Sequence, residues 1–242
     1  EPLGGMVAKM FPNNTNVNCA NAGGDPSFAA LEARFTFTPA GCGIANVARV
    51  QTFYVNGSPV LTKGIDFLGD FSLGEMMGGD IGVNVSVTHV NEYSVAPITV
   101  AGLTVQGAFE AAGFLNYQTT VYPIPKLKGS LSVDYESDMH FLRFAMNYVD
   151  DYTDQRLAPF AANAYRDATN TLFTQPAGKV IDEFITFDIT YRLMLPEELV
   201  LVLAVDNIFD EDPPFARLDL SYDPLTASAL GRTFKVGIRK EF

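Results

Sequence analysis

The sequence predicts an all-β protein: an antiparallel transmembrane β-barrel, of which about seven strands with long external loops are present. Three observations carry this. Apolar and polar residues alternate with period two over one segment after another, as in strands that separate two environments. The connections between those segments alternate short and long. Of the 242 residues 48% are hydrophobic, yet no apolar run approaches the roughly 20 residues that a membrane-spanning helix requires.

In chain order, a long strand is expected within 47–74. Asn56-Gly57 inside it is a dipeptide that ordinarily announces a tight hairpin. A hairpin would reverse the upstream segment and place the cysteine-bearing stretch at the short-turn end, so a β-bulge is expected instead. The bulge would account for an apolar register that moves from even positions (Val50, Thr52, Tyr54) to odd ones (Ile65, Phe67, Phe71) across Gly57 to Gly64. Strand 79–93 sets Ile81, Val83, Val85 and Val87 against Gly82, Asn84, Ser86 and Thr88. Strand 126–138 sets Leu127, Leu131, Val133 and Tyr135 against Lys128, Ser130, Ser132 and Asp134. Strand 139–152 opposes Leu142, Phe144, Met146 and Tyr148 to Phe141, Arg143, Ala145 and Asn147.

The alternation is cleanest in strand 182–195, with Ile185, Phe187, Ile189, Tyr191 and Leu193 on one face and Phe184, Thr186, Asp188, Thr190 and Arg192 on the other. Segment 199–209 is apolar on both faces for several residues, so its inner face is expected against packed protein. In strand 230–242, Phe234, Val236, Ile238 and Phe242 oppose Thr233, Lys235, Gly237, Arg239 and Glu241. A strand with one oily and one so charged a face belongs in a wall between lipid and water. Nineteen Phe and ten Tyr suit pleated surfaces and interfacial girdles, although an aromatic β-sandwich core would use them too.

Short turns are expected at Gly74–Gly79, Ser137-Asp138 and Pro196–Glu198. The connections 94–125, 153–181 and 210–229 are long and rich in Gly, Pro, Asn and Asp. That polarity matches outer-membrane barrels, with turns in the periplasm and loops outside. The predicted inner face carries Asp66, Asp70, Lys128, Asp134, Glu136, Arg143, Asp182, Asp188, Arg192, Lys235 and Arg239, which would face a plug or water. In the loops, Tyr117, Tyr122, Phe160 and Tyr165 could stack on a ligand or pack the loops themselves.

Sixteen basic against 28 acidic residues give a formal charge of −12, which opposes phosphate backbones and excludes a nucleic-acid partner. The chain opens Glu-Pro-Leu-Gly-Gly, without a basic start or apolar core, so any secretion signal is expected upstream of residue 1. Cys19 and Cys42 lie in one Gly/Asn/Pro/Ala-rich stretch, and region 1–46 reads as an external loop carrying the pair, with the membrane strands in 47–242. A disulfide is expected in an oxidising compartment, the alternative being two thiols in a reducing one.

No catalytic constellation stands out. His89 and His140 have no triad context and read as interfacial residues; no phosphate-binding glycine loop or cysteine-histidine metal spacing is present, and no cofactor is expected. The acidic groups Asp150, Asp151, Asp154 and Asp210, Glu211, Asp212 read as solvated loop surface, calcium binding being the alternative. Enzymatic activity is not expected.

The final forty residues hold Val205-Asp-Asn-Ile-Phe-Asp-Glu-Asp-Pro-Pro-Phe215, then Tyr222-Asp-Pro224, then Leu230-Gly-Arg-Thr-Phe234 running to Phe242. This resembles the C-terminus of a TonB-dependent outer-membrane receptor, in which a penultimate strand ends in an Asn-Leu-Phe-Asp type motif and a Gly-Arg-Thr/Ser-aromatic motif opens the last strand. Asn207, Phe209, Gly231 and Arg232 carry the match, and Ile208 stands where Leu is usual. Lys63-Gly-Ile-Asp66, preceded by Asn56, resembles a further motif of a descending strand, so the likeness extends over about 47–242. It implies a 22-stranded barrel plugged by an N-terminal domain, driven by the TonB complex through that plug, importing a scarce nutrient such as an iron chelate, cobalamin or oligosaccharide. It also implies that Phe242 belongs to the signal read by the barrel-insertion machinery. The alternatives are a self-contained small outer-membrane barrel with a structural or passive-pore role, and a soluble carbohydrate-binding β-sandwich.

Overall fold

The computed structural model describes residues 1–116, 121–155, 165–166, 172–173 and 179–240, the two short pieces by backbone alone. Residues 1–61 with 93–110 form one compact unit, and 62–92 with 111–242 a second.

The second unit is built on a sheet whose strands follow one another in chain order: β1 Val60–Met76, β2 Gly79–Val95, β3 Leu127–Glu136, β4 His140–Val149, β5 Phe184–Leu195, β6 Leu199–Asp206 and β7 Thr233–Lys240. Pairing from β2 to β7 is antiparallel throughout. Its register brings Val83, Val133, Phe144, Ile189, Val205 and Phe234 side by side across six strands. The adjacent row is Gly82, Asp134, Arg143, Thr190, Ala204 and Lys235. Successive side chains point to opposite faces, so one face is hydrocarbon throughout and the other is polar except along β6, which is apolar on both. A slip of one residue anywhere would exchange the faces, and this holds the register.

The short connections have clear causes. Met77 and Gly78 both adopt positive φ (57° and 79°), the two-residue type I′ geometry that matches strand twist. The turn is therefore tighter than Gly74–Gly79, because β1 runs on through Met76. After β3, Ser137 N–H donates to the His140 carbonyl at 2.8 Å. The chain turns from β5 to β6 at Pro196–Glu198.

The continuous strand expected within 47–74 is not formed. Val47–Val50 pairs with Phe35–Phe37 in the first unit, residues 51–59 have no regular structure, and β1 starts only at Val60. The register change across Gly57 to Gly64 marks a break between two strands serving different neighbours, and neither a bulge nor a hairpin forms at Asn56-Gly57.

The first unit is more than the loop expected over 1–46, since it takes in 47–61 and 93–110. Helix Leu3–Met10 buries Met6 and Met10. They join Phe11, Leu31, Phe35, Val100 and Val105 in a core. A Cβ on Gly5 would lie 2.2 Å from the Val105 carbonyl oxygen, so glycine alone allows the helix this close to strand Leu103–Gln106. Phe11 meets Phe35 edge to face at 5.6 Å. Cys19 and Cys42 form a disulfide, with Cα atoms 5.7 Å apart. Asparagines brace the same stretch: Asn16 Oδ1 accepts from Ile44 N–H at 3.0 Å, and Asn46 Nδ2 donates to the Gly41 carbonyl at 3.1 Å.

Candidate functional site

Three features of the second unit gather its polar and charged residues: the polar face, the rim of the last two strands, and the packed bases of the long loops. On the polar face, Arg143 grips Asp134 with two parallel hydrogen bonds, Nε to Oδ1 at 2.7 Å and an Nη to Oδ2 at 2.5 Å. Asn84 Nδ2 donates to the same carboxylate at 2.9 Å. One step along the sheet, Asn147 Nδ2 donates to Asp188 at 2.7 Å, and Lys235 pairs with Asp206. Thr88 donates to Asp66 at 2.6 Å, which places Asp66 on this face as expected. Asp66, Asp134, Arg143, Asp188, Asp206 and Lys235 are thus matched by neighbours on adjacent strands, leaving a hydrogen-bonding lining for water or a polar surface.

The doubly apolar strand β6 lines a concavity of about 440 Å³ with Arg192, Met194, Val200, Val202 and Arg239. Beside it the Arg192 guanidinium lies 3.8 Å from the centroid of the Phe141 ring, and Phe141 is buried.

At the rim the residues of the C-terminal motifs meet. Asn207, at φ 50°, ends β6; its Oδ1 accepts from Glu211 N–H and its Nδ2 donates to the Glu211 carbonyl, both at 2.9 Å. Its backbone N–H donates to Asp188 at 2.8 Å, tying the turn to β5. Phe209 stands edge-on to Phe187 at 5.3 Å. Asp210 Oδ1 accepts from Arg232 N–H at 2.7 Å, and Arg232 Nη1 reaches the Ile208 carbonyl at 3.3 Å. Gly231 lies at φ 61°, and a Cβ there would stand 2.7 Å from Asp210 Oδ1. The Asn-Ile-Phe-Asp and Gly-Arg motifs are therefore two halves of one junction that sets the entry of the last strand.

The long connections were expected to be polar loops, but their bases pack together. Leu115, Tyr152, Ile181 and Ala216 form a small buried core. Within this cap Arg217 Nε donates to Asp154 Oδ2 at 2.7 Å, the two side chains being 3% and 1% exposed. The Tyr152 hydroxyl donates to Asp223 Oδ2 at 2.7 Å and lies 2.8 Å from Thr226 Oγ1. Burial raises the Tyr152 phenol far above its ordinary value; Thr226 opposes this, and the Asp223 carboxylate adds to it. Asn116 Nδ2 donates to the carbonyls of Ala111, Phe114 and Tyr122. Leu115 N–H donates to Thr153 and Thr153 N–H to Gly113, at 3.0 and 2.9 Å.

Of the loop aromatics, Tyr122 is 77% exposed. Tyr165 lies in the short strand Tyr165–Arg166, in register with Phe173. Tyr117, Phe160 and Phe242 lie outside the described residues. His140 stacks on Tyr191, its Nδ1 2.7 Å from the phenol oxygen, and His89 pairs in register with Leu127. Asp154 leaves the acidic group with Asp150 and Asp151, since its partner is Arg217. Among the described residues no three His, Cys, Asp or Glu side chains converge as a metal site. Sequence reasoning placed Asp154 on solvated loop surface, quoted Asp223 only within Tyr222-Asp-Pro224, and did not single out Arg217 or Tyr152. One signal was available: Arg217 is the single basic residue between Phe209 and Gly231, in an acidic loop.

The architecture is an antiparallel sheet of strands in chain order, joined alternately by short turns and long connections, and no helix among the described residues is long and apolar enough to cross a membrane. No protein-family model matches the chain, and no curated protein does. Among solved structures it is similar to a mutant of the ferric enterobactin receptor PfeA from Pseudomonas aeruginosa, with TM-score 0.43 and 15% identity over 73% of this chain and 22% of that one. It is also similar to the ferric enterobactin receptor PfeA in complex with BCV-L6, with TM-score 0.41, the same identity and the same coverage. The chain thus spans 22% of the length of each of these receptor chains.

Proposed function

We propose that this chain supplies strands and external loops of a TonB-dependent outer-membrane transporter that imports a scarce nutrient, the class of solute that includes iron chelates, cobalamin and oligosaccharides. The observation that carries the reading is the sheet itself. A hydrocarbon row runs in register across six strands, and the opposite face carries the paired charges Asp134–Arg143 and Asp206–Lys235. Val236 and Ile238 on the hydrocarbon face are 74% and 73% exposed, a surface that suits lipid and is costly in water.

Both ends of the sheet need further strands in this setting. Among the described residues β7 pairs only with β6, and beyond Leu61 no strand lies outside β1 in the second unit. Unpaired backbone in hydrocarbon costs several kcal/mol per group, so the wall has to be completed. Closing seven strands on themselves would give an odd and narrow barrel with Arg143, Arg192, Lys235 and Arg239 inside, which disfavours the small-barrel alternative. A wider barrel gives that face a plug and water to meet. In the working transporter, TonB would pull on the plug, and the packed loop bases would hold the outer vestibule in a fixed shape while the plug moves.

The reading is tested by purifying the chain from its native outer membrane and identifying what remains joined or bound after detergent exchange. A large barrel with a plug-bearing part, whose energy-dependent uptake of a solute stops when β5–β7 are deleted, is expected. A monodisperse 26.3 kDa barrel without further strands would contradict it.

A further inference from the structure

The hydrocarbon face is not uniform. Near the loop end of β3 it sinks into a groove of about 500 Å³ lined by Val85 and Val87 of β2, Gly129 and Leu131 of β3, and Met146 and Tyr148 of β4. Two register rows make it: Val87, Gly129, Tyr148 and, one step along, Val85, Leu131, Met146. Gly129 has no side chain to fill the floor, so the depression follows β3 between the taller residues on either side. Its volume lies within the roughly 300–1,000 Å³ typical of ligand pockets.

Three features select the occupant. Apart from Ser130 and the Tyr148 phenol the lining is hydrocarbon, and the Tyr148 hydroxyl is already committed to Asp150 Oδ1 at 2.8 Å. Ser130 belongs to the row shared with Ser86 and Asn147, whose side chains point to the opposite, polar face, so a polar ligand would find little to pair with inside. The floor strand β3 is paired on both sides, with β2 and β4, so its backbone offers no free edge on which a peptide or a further strand could form a ladder. The groove runs along a strand, and strands of a membrane barrel are tilted by roughly 35–45°, which keeps it closer to the direction of lipid chains than to the membrane plane.

We propose that this groove binds a single acyl chain of a membrane lipid, with the polar end of that lipid at the Tyr148–Asp150 rim. The proposal rests on the reading of this face as lipid-facing. Unlike the shell of lipid that any barrel carries, this one molecule is held in a preformed depression and outlasts the rest during detergent exchange.

The transporter is purified from its native membrane, exchanged through a non-ionic detergent, and its retained lipid counted by native mass spectrometry. One lipid per copy is expected. Val85→Phe and Gly129→Leu fill the groove from a wall and from the floor, and each lowers occupancy at least tenfold, whereas Val236→Phe on the same face leaves it unchanged. Val85→Phe keeps the test open if Gly129→Leu disturbs folding, since a Cβ at 129 already lies 2.8 Å from the Ser86 carbonyl oxygen. Complete stripping of lipid from the wild type, or equal retention in all four proteins, overturns the proposal. A spin label at residue 189 separates the two readings. If it is oxygen-accessible while no lipid is retained, the groove fails and the membrane wall stands; if it is water-accessible, both fall.

Discussion

Replacing Arg217 by Met removes the cation from a buried ion pair in the loop cap and leaves the Asp154 carboxylate without it. Both side chains are almost fully buried, so solvent screening offers little relief. Breaking such a pair from one side costs about 3–5 kcal/mol, because a charge is stranded in a poorly polarisable interior. The loss should be confined to the cap, whose backbone bonds Leu115 to Thr153 and Ala216 to Ser221 report on it. Amide hydrogen exchange at Leu115, Thr153 and Ala216 is expected to accelerate by roughly two to three and a half powers of ten, at about 1.4 kcal/mol per tenfold. Exchange in β4 and β5 should stay unchanged. The double variant Asp154→Leu with Arg217→Met removes both charges and should recover most of the protection, since a buried pair exchanged for apolar residues is often neutral. Unaltered protection in Arg217→Met, or a double variant as damaged as the single one, would refute the reasoning.

Four further outcomes follow from the geometry. Phe187→Arg, on the hydrocarbon face, should cost about 2–4 kcal/mol if residue 187 lies near mid-membrane, measured by reversible unfolding in lipid vesicles. Gly231→Ala forces a side chain into left-handed backbone and against Asp210, and should lower stability by about 1–3 kcal/mol; the rescue variant Gly231→Ala with Asp210→Ala should recover part of it. Reduction and alkylation of Cys19 and Cys42 should add two labels by mass and loosen the first unit by about 3 kcal/mol, whereas labelling without reductant would contradict the bridge. Because burial raises the Tyr152 phenol above its ordinary 10.0, the unfolded chain loses that proton first as pH rises; cap protection should be insensitive to this group below pH 10 and fall above it.

The wall was legible in the sequence because each face meets one environment along a whole strand, so the period-two signal accumulates in Ile185 to Leu193 or Phe234 to Ile238. Turn lengths fixed the order of strands for the same local reason. What escaped was tertiary. Helix Leu3–Met10 has only eight residues and two glycines, and its partner Leu103–Gln106 lies far along the chain, so nothing local announced a folded unit. Val47–Val50 lies in the range expected for a wall strand but serves a two-stranded pair with Phe35–Phe37. Asp154 reads as a solvated loop charge and Arg217 drew no notice because burial is created only when three distant loop bases meet. The C-terminal motifs were visible as a pattern, and the structure supplies their cause in the contact between Asp210 and the Gly231-Arg232 backbone.

The most direct test of the membrane wall is a series of single spin labels from residue 184 to 192, introduced in native outer-membrane vesicles and read for access to oxygen and to a water-soluble nickel complex. The account predicts oxygen access at 185, 187, 189 and 191 and nickel access at 186, 188 and 190, in strict alternation along β5. Water access at the odd positions, or two faces that cannot be told apart, would contradict it.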